Sequence, residues 1–175
     1  LYHLQFLLLK RVIIMKNIVY NSSLKTNIGT IFITANESEL LGIHFVSEYP
    51  KDNENYLTKA IKQELWEYFE KKRTHFSIFP LALSPIEKKV LSKVLTIPYG
   101  TTTTYKKIAE ELGNTHNIKE IIRVIENNPY LILIPCHRVI VDNKNTLYYQ
   151  AGVKIKEELL KLEQDNCVNK KSMLN

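Results

Sequence analysis

The sequence predicts an α+β fold in two domains, a small β-sheet domain followed by a helical domain that carries the chemistry. Three observations predict it. Short β-rich runs separated by turn residues fill positions 18–46, helical periodicity dominates from Ser84 onward, and the stretch Pro80 to Pro85 divides the two.

In order, Ile18-Val19-Tyr20 leads to the run Ile28 to Thr34, a polar turn follows at Asn36 to Glu39, and Leu40 to Val46 forms the next run. This spacing predicts an antiparallel meander. Leu57, Ile61, Leu65, Tyr68 and Phe69 then recur at intervals of three and four, an amphipathic helix with Trp66 off its main stripe. Phe76 to Pro80 reads as a further strand, and His44 and His75 read as surface or packing histidines. Ser84-Pro85 suits a helix start, with Ser at the cap and Pro in the first turn. Ile86, Val90, Val94 and Leu95 supply that helix's apolar face, and Pro98-Tyr99-Gly100 breaks it. Thr103 or Thr104 can cap a short helix through Leu112, closed by Gly113-Asn114, and Asn117 can cap a second ending at Asn127-Asn128-Pro129. Two short helices across a tight turn make a helix-turn-helix candidate, although many such hairpins bind nothing. Tyr130 to Ile134 is expected to be a buried strand, Asp142 to Asn145 a turn, Lys154 to Glu163 a last helix, and residues 165–175 a polar tail.

Composition narrows the function. With 45% hydrophobic and 24% charged residues the chain is of ordinary globular composition, and its two cysteines make no disulfide framework, which fits a reducing compartment, the cytoplasm. The net charge of +6 favours polyanionic partners; from Ser84 onward 14 Lys/Arg stand against 10 Asp/Glu. Residues 1–14 are apolar but broken by Lys10 and Arg11, too short for a span and without a signal-peptide pattern. They are expected to be an extraneous or disordered extension, with Met15 a plausible start.

The most informative stretch is Ile134-Pro135-Cys136-His137-Arg138-Val139, which offers a thiol and an imidazole side by side. A cysteine attacks as thiolate, and a thiol with a pKa near ~8.5 is mostly protonated at neutral pH, so a neighbouring base matters. Taken alone, the stretch is also what a buried, inert cysteine would look like.

The order of parts resolves the choice. A helix-turn-helix, Asn128-Pro129, an apolar run, Pro135-Cys136-His137-Arg138-Val139, a tyrosine-bearing loop and a helix reaching Glu163 resemble the methylated-DNA–protein-cysteine methyltransferases, the O6-alkylguanine-DNA alkyltransferases. The resemblance is strong from Ser84 to Glu163, and Ile97-Pro98-Tyr99-Gly100 with Thr104-Tyr105 adds to it. It implies a ribonuclease-H-like domain over residues 15–83 and a winged-helix-like helix-turn-helix domain over 84–164. It also implies a monomer that acts on double-stranded DNA containing O6-alkylguanine, without cofactor, metal or membrane. In this family the cysteine takes the alkyl group and is not regenerated. By resemblance Cys136 is the nucleophile, His137 its base through a water, Glu163 the orienter of His137, and Asn128 the organiser of the turn beneath; Arg138 supports structure. The lesion must leave the stack to present its methyl carbon. Tyr105, Val139, Tyr149, Gln150 and Lys156 then correspond to the substrate site, and Thr104, Tyr105, Lys119 and Arg123 to DNA contacts.

Departures from the family pattern carry expectations of their own. Lys119 stands where an arginine usually fills the space of the flipped base, and lysine lacks the flat guanidinium; Arg123 lies one turn on. Ile122, Arg123 and Glu126 are bulkier than the family's Ala/Gly helix, and Tyr148 and Gln150 interrupt a loop that is usually glycine-rich, so large O6 substituents should be poorly accepted. The competing readings are weaker. A non-catalytic lesion sensor would lack the thiol, a papain-like hydrolase would need a distant histidine in context, and a zinc site from Cys136, His137, His116 and Cys167 lacks ligand spacing.

Overall fold

Alternating apolar and polar residues place Ile31, Ile33 and Ala35 on one face of a strand, all fully buried in the computed structural model, which describes residues 18–113, 117–141 and 148–172. That strand, β2 (Gly29–Ala35), lies between β1 (Tyr20–Thr26) and β3 (Leu40–Val46) in an antiparallel meander, the arrangement the spacing predicts. The chain forms two units, one running up to Trp66 with Ser77–Ala82, the other comprising Glu67–Phe76 and the chain from Leu83. The division passes through helix α1 (Tyr56–Phe69), whose stripe buries Ile61, Leu65 and Tyr68 while Trp66 stays 40% exposed. His44 is half-buried and His75 exposed.

In the second unit, α2 (Pro85–Leu95) starts with a capping box: Ser84 N–H donates to Glu87 Oε2 at 2.8 Å, and Glu87 N–H to Ser84 Oγ at 3.5 Å. The two-residue strand β4 (Thr103–Thr104) leads into α3 (Tyr105–Glu111), where Thr104 Oγ1 accepts from Lys107 N–H. Helix α4 (Ile118–Glu126) is capped by Asn117, which accepts from Lys119 N–H. It buries Ile121 and Ile125, while Lys119 and Arg123 face outward. A 3-10 turn at Cys136–Arg138 runs into β5 (Val139–Ile140), which pairs in parallel with β4, and α5 (Val153–Ser172) completes the unit. The architecture is α+β, with a small sheet followed by a helical unit.

Three expectations need correction. Tyr130 to Ile134 is buried, but it forms a tight turn: Ile134 N–H bonds Tyr130 O at 2.9 Å, and Ile132 takes a left-handed φ of 72°. A short apolar run reports burial, not conformation. Phe76 to Pro80 is irregular, and Pro80 O accepts from Leu40 N–H at 2.9 Å beside the single bridge between Leu40 and Leu81. The polar tail is helical through Ser172, because Leu159, Glu163 and Asn166 fall on one buried face and continue the packing past Glu163. Residues 1–17, with the expected extension, and the turn at 142–145 lie outside the described residues. No described helix is long and apolar enough to cross a membrane.

Candidate active site

Site geometry begins with the turn before the cysteine. A left-handed, non-ladder backbone leaves polar groups to satisfy, and the fully buried Asn128 satisfies them. Its Oδ1 accepts from Tyr130 N–H at 3.0 Å, and its Nδ2 donates to Ile134 O at 2.9 Å and to Cys136 Sγ at 3.1 Å. The same amide therefore builds the turn and points a donor at the sulfur, an arrangement that favours thiolate over thiol. Burial opposes it. Cys136 is 5% exposed, and burial lifts its pKa to about 11 against the lowering influence of the Asn128 hydrogen bond and the Lys156 charge. The resting sulfur is a thiol that needs a base.

His137, wholly buried, is next to it in the 3-10 turn. Its Nε2 lies 2.8 Å from Glu163 Oε1, and its Nδ1 is buried without a hydrogen-bond partner among the described residues. Burial holds its pKa below the ordinary histidine value, in spite of the raising influence of Glu163. A neutral imidazole that donates Nε2–H to a carboxylate has its lone pair on Nδ1, the tautomer of a base.

Glu163, on α5, is the hub. Burial alone would raise its pKa, but hydrogen bonds and charge from His137 and Arg138 outweigh this and bring it down to about 2. Arg138 is the charge partner that persists while His137 is neutral, and it reaches Glu163 Oε1 from Nη2 at 2.9 Å and Oε2 from Nε at 3.0 Å. Arg138 Nη1 also donates to Ile97 O at 2.7 Å. Gly100 N–H donates to Glu163 Oε2 at 2.9 Å. Gly100 has φ 74°, a conformation that favours glycine, and a Cβ there would come within 2.6 Å of Cys167 Sγ and oblige that side chain to shift. Tyr68 O–H donates to Glu163 Oε1 at 2.8 Å.

Around the thiol the chain leaves a small cavity of about 10 Å³, lined by Tyr105, Ile125, Glu126, Cys136, Tyr148, Tyr149 and Gln150. That is room for one water. Tyr149 is buried, with a hydroxyl that finds no partner among the described residues. Lys156 is 1% exposed and donates from Nζ to Val139 O at 2.6 Å; burial lowers its pKa while Cys136 raises it.

The structure thus brings Asn128, Cys136, His137, Val139, Lys156 and Glu163 together and sets Tyr105, Tyr149 and Gln150 at the cavity. It does not bring Lys119, Arg123 or Thr104 there: the first two are exposed on α4 and the third is a helix cap. Sequence reasoning missed Tyr68 and Gly100. Tyr68 was legible only as a stripe residue, though a buried tyrosine hydroxyl calls for a partner; Gly100 was legible as a helix breaker and as part of the Ile97-Pro98-Tyr99-Gly100 stretch, but not as a donor to Glu163. Among the described residues no cluster of His, Cys, Asp and Glu is arranged to hold a metal ion, and His116 lies outside them.

Residues 85–165 match the family model described as 6-O-methylguanine DNA methyltransferase, DNA binding domain, and residues 19–83 match that family's ribonuclease-like domain. A methylated-DNA–protein-cysteine methyltransferase of Methanosarcina barkeri is 35% identical over 160 residues, covering 85% of this chain and 99% of its own. A probable enzyme of the same name from Acanthamoeba polyphaga mimivirus is 31% identical, covering 82% and 95%. The O6-methylguanine methyltransferase of Mycobacterium tuberculosis superposes with a TM-score of 0.74 at 25% identity, covering 85% of this chain and 94% of that one. The same protein in complex with DNA superposes at 0.72, with 26% identity over 82% and 92% of the two chains. With both of its domains matched, the chain belongs to the 6-O-methylguanine DNA methyltransferase family.

Proposed function

We propose that this protein repairs O6-methylguanine in duplex DNA by moving the methyl group onto its own Cys136, once per molecule. His137 Nδ1 takes the thiol proton through a bridging water, and the sulfur attacks the methyl carbon in line. The S–C bond forms as the C–O6 bond breaks, and the electron pair leaves on O6. A proton then returns to the base at N1, giving guanine and S-methylcysteine. Asn128 steadies the developing thiolate, and Glu163 holds His137 in the tautomer that leaves Nδ1 free. Tyr105, Val139, Tyr149, Gln150 and Lys156 receive the flipped base, while Thr104, Lys119 and Arg123 meet the DNA backbone. A thioether so buried has no means of release, hence the single turnover. The protein works as a monomer in a reducing, cytoplasmic setting, where its two free cysteines stay reduced.

The observation that carries this reading is the buried imidazole whose Nε2 is held by Glu163 at 2.8 Å while Nδ1 has no hydrogen-bond partner among the described residues, one residue from a thiol that accepts a hydrogen bond from Asn128. The test is intact mass after incubation with an O6-methylguanine duplex. A gain of about 14 Da on Cys136, methyl for hydrogen, absent in Cys136→Ala, is expected. Multiple turnover, methyl on Cys167, or binding of the lesion without transfer would overturn it.

A further inference from the structure

The Glu163 carboxylate is engaged by more groups than an orienter of histidine requires. Oε1 faces Tyr68 O–H at 2.8 Å, His137 Nε2 at 2.8 Å, Arg138 Nη2 at 2.9 Å and Arg138 Nε at 3.2 Å. Oε2 takes Gly100 N–H at 2.9 Å and shares Arg138 Nε at 3.0 Å. An oxygen has two lone pairs, so the donors at Oε1 compete. We propose that Tyr68 is a positioning residue of the proton-transfer machinery: its hydroxyl takes up part of Glu163 Oε1 and so sets how firmly that oxygen holds His137 Nε2. The inference rests on the reading of His137 as the base.

The phenol is suited to this part. Its ring is fixed by an edge contact with Phe69 at 5.4 Å, a tilted contact with Phe76 at 5.6 Å and an edge contact with Tyr99 at 5.9 Å. Phenylalanine would keep that packing, so the hydroxyl is the one part of Tyr68 that needs Glu163. Burial, and then the Glu163 charge, keep the phenol protonated far above neutral pH, so it is a constant donor. Every donor added to a carboxylate reduces what it offers the others. A weaker hold on Nε2–H lets burial win, and His137 stays neutral with its Nδ1 lone pair available. Without the Tyr68 hydroxyl, Glu163 would pull harder on the imidazole and favour its protonated form, which cannot act as a base.

The other groups around His137 are Glu163 and Lys156 from α5 and Arg138 and Cys136 from its own turn; Tyr99 touches Arg138, its ring centroid 5.5 Å from the guanidinium. All remain in place in Tyr68→Phe, so the variant changes one hydrogen bond and no charge.

The test has two readouts on Tyr68→Phe. The first is the pH titration of the His137 ring nitrogens by ¹H–¹⁵N NMR; the second is the pH dependence of methyl transfer from an O6-methylguanine duplex. The His137 midpoint is expected to move up, and the acid limb of the rate profile to move up with it, with a loss of roughly threefold near pH 6. A purely structural tyrosine would lower the melting temperature and leave both unmoved, and that result would overturn the proposal. Should Tyr68→Phe fail to fold, 3-fluorotyrosine placed at position 68 keeps the shape and strengthens the donor. The His137 midpoint must then move down, and an unmoved midpoint overturns the proposal equally. The NMR readout is independent of methyl transfer, so a wild-type protein that transfers nothing would refute the repair function without deciding this point.

Discussion

Arg138 and Glu163 are joined through both carboxylate oxygens, with Arg138 7% exposed at its side chain and Glu163 fully buried. This pair lets a neutral His137 coexist with an ionised carboxylate: the guanidinium carries the counter-charge, and the imidazole needs only to donate. It also anchors α5 to the loop before β4, because Arg138 donates to Ile97 O and Gly100 donates to Glu163. Replacing Arg138 by methionine would leave the Glu163 charge buried without its partner. A loss of about 3–5 kcal/mol in urea unfolding is expected. A loss below about 1 kcal/mol would show that the pair is not the anchor.

Asn128 joins folding to chemistry in the same manner. Asn128→Ala removes the side-chain acceptor of Tyr130 N–H, one of the two donors to Ile134 O (Cys136 N–H keeps the other) and the donor to the sulfur. Buried groups left unpaired cost about 1–3 kcal/mol each, so stability should fall by at least that. The thiol, deprived of the Asn128 donor, should be still harder to ionise, and methyl transfer should slow by a similar factor at every pH well below the thiol's pKa of about 11. Single-turnover rates across pH would check this, and an unchanged rate would count against the hydrogen bond to sulfur.

Acid should unfold the protein in two stages. His137 is held below its unfolded value by burial, so the unfolded state binds the extra proton as pH drops through the ordinary histidine range, and stability declines there. Glu163 titrates near 4.5 when unfolded and at about 2 when folded, so its contribution is complete above about pH 4.5 and is lost between there and pH 2. In that window the unfolded state again binds more protons, and stability falls with pH. The Glu163 contribution is on the order of 3 kcal/mol. Chemical denaturation as a function of pH would reveal it, and a flat profile from pH 7 to 3 would exclude it.

The parts of this site that the sequence made legible are those in which spacing dictates contact. Cys136 and His137 are adjacent, Asn128 lies eight positions earlier across one turn, and the caps at Ser84, Thr104 and Asn117 follow from side chains that satisfy helix-end N–H groups. What stayed hidden depends on tertiary packing. The run Tyr130 to Ile134 looks identical as a strand or a buried turn, and only the Asn128 bonds decide for the turn. Tyr68 sits 95 positions from Glu163, and no local pattern distinguishes its hydroxyl from that of the chain's other tyrosines. The helical end of α5 was obscured by polar residues, since Asn166 is buried through hydrogen bonds to Tyr99 Oη and Lys71 O rather than through apolar surface.

DNA binding should separate the two exposed cations of α4 from the reaction centre. Lys119 and Arg123 are exposed, and neither lines the cavity beside Cys136. If each meets a phosphate, alanine at either position should reduce the salt slope of duplex binding by roughly one, with little change between lesion and undamaged DNA. If one of them fills the gap left by the flipped base, its removal should weaken the preference for the lesion as well. Binding isotherms at several salt concentrations with both duplexes would assign the roles, and variants that bind like wild type would remove α4 from the interface.

Selectivity for small alkyl groups should follow from the residues around the thiol. The cavity of about 10 Å³ is hemmed in by Tyr148, Tyr149 and Gln150, of which Tyr148 and Gln150 interrupt a loop expected to be glycine-rich. Entry of guanine already requires these side chains to move; a methyl group adds little to that, whereas a benzyl group needs further displacement. Forcing extra volume into packed surroundings costs about 1–3 kcal/mol, so O6-benzylguanine should react roughly ten- to a hundredfold more slowly than O6-methylguanine. Tyr148 is 46% exposed and can be shortened without opening the core. Tyr148→Ala should therefore narrow the gap by speeding the benzyl reaction while the methyl reaction holds. Equal rates for the two lesions in the wild-type protein would refute the steric argument. A gap unchanged by Tyr148→Ala would move the restriction to Tyr149 or Gln150.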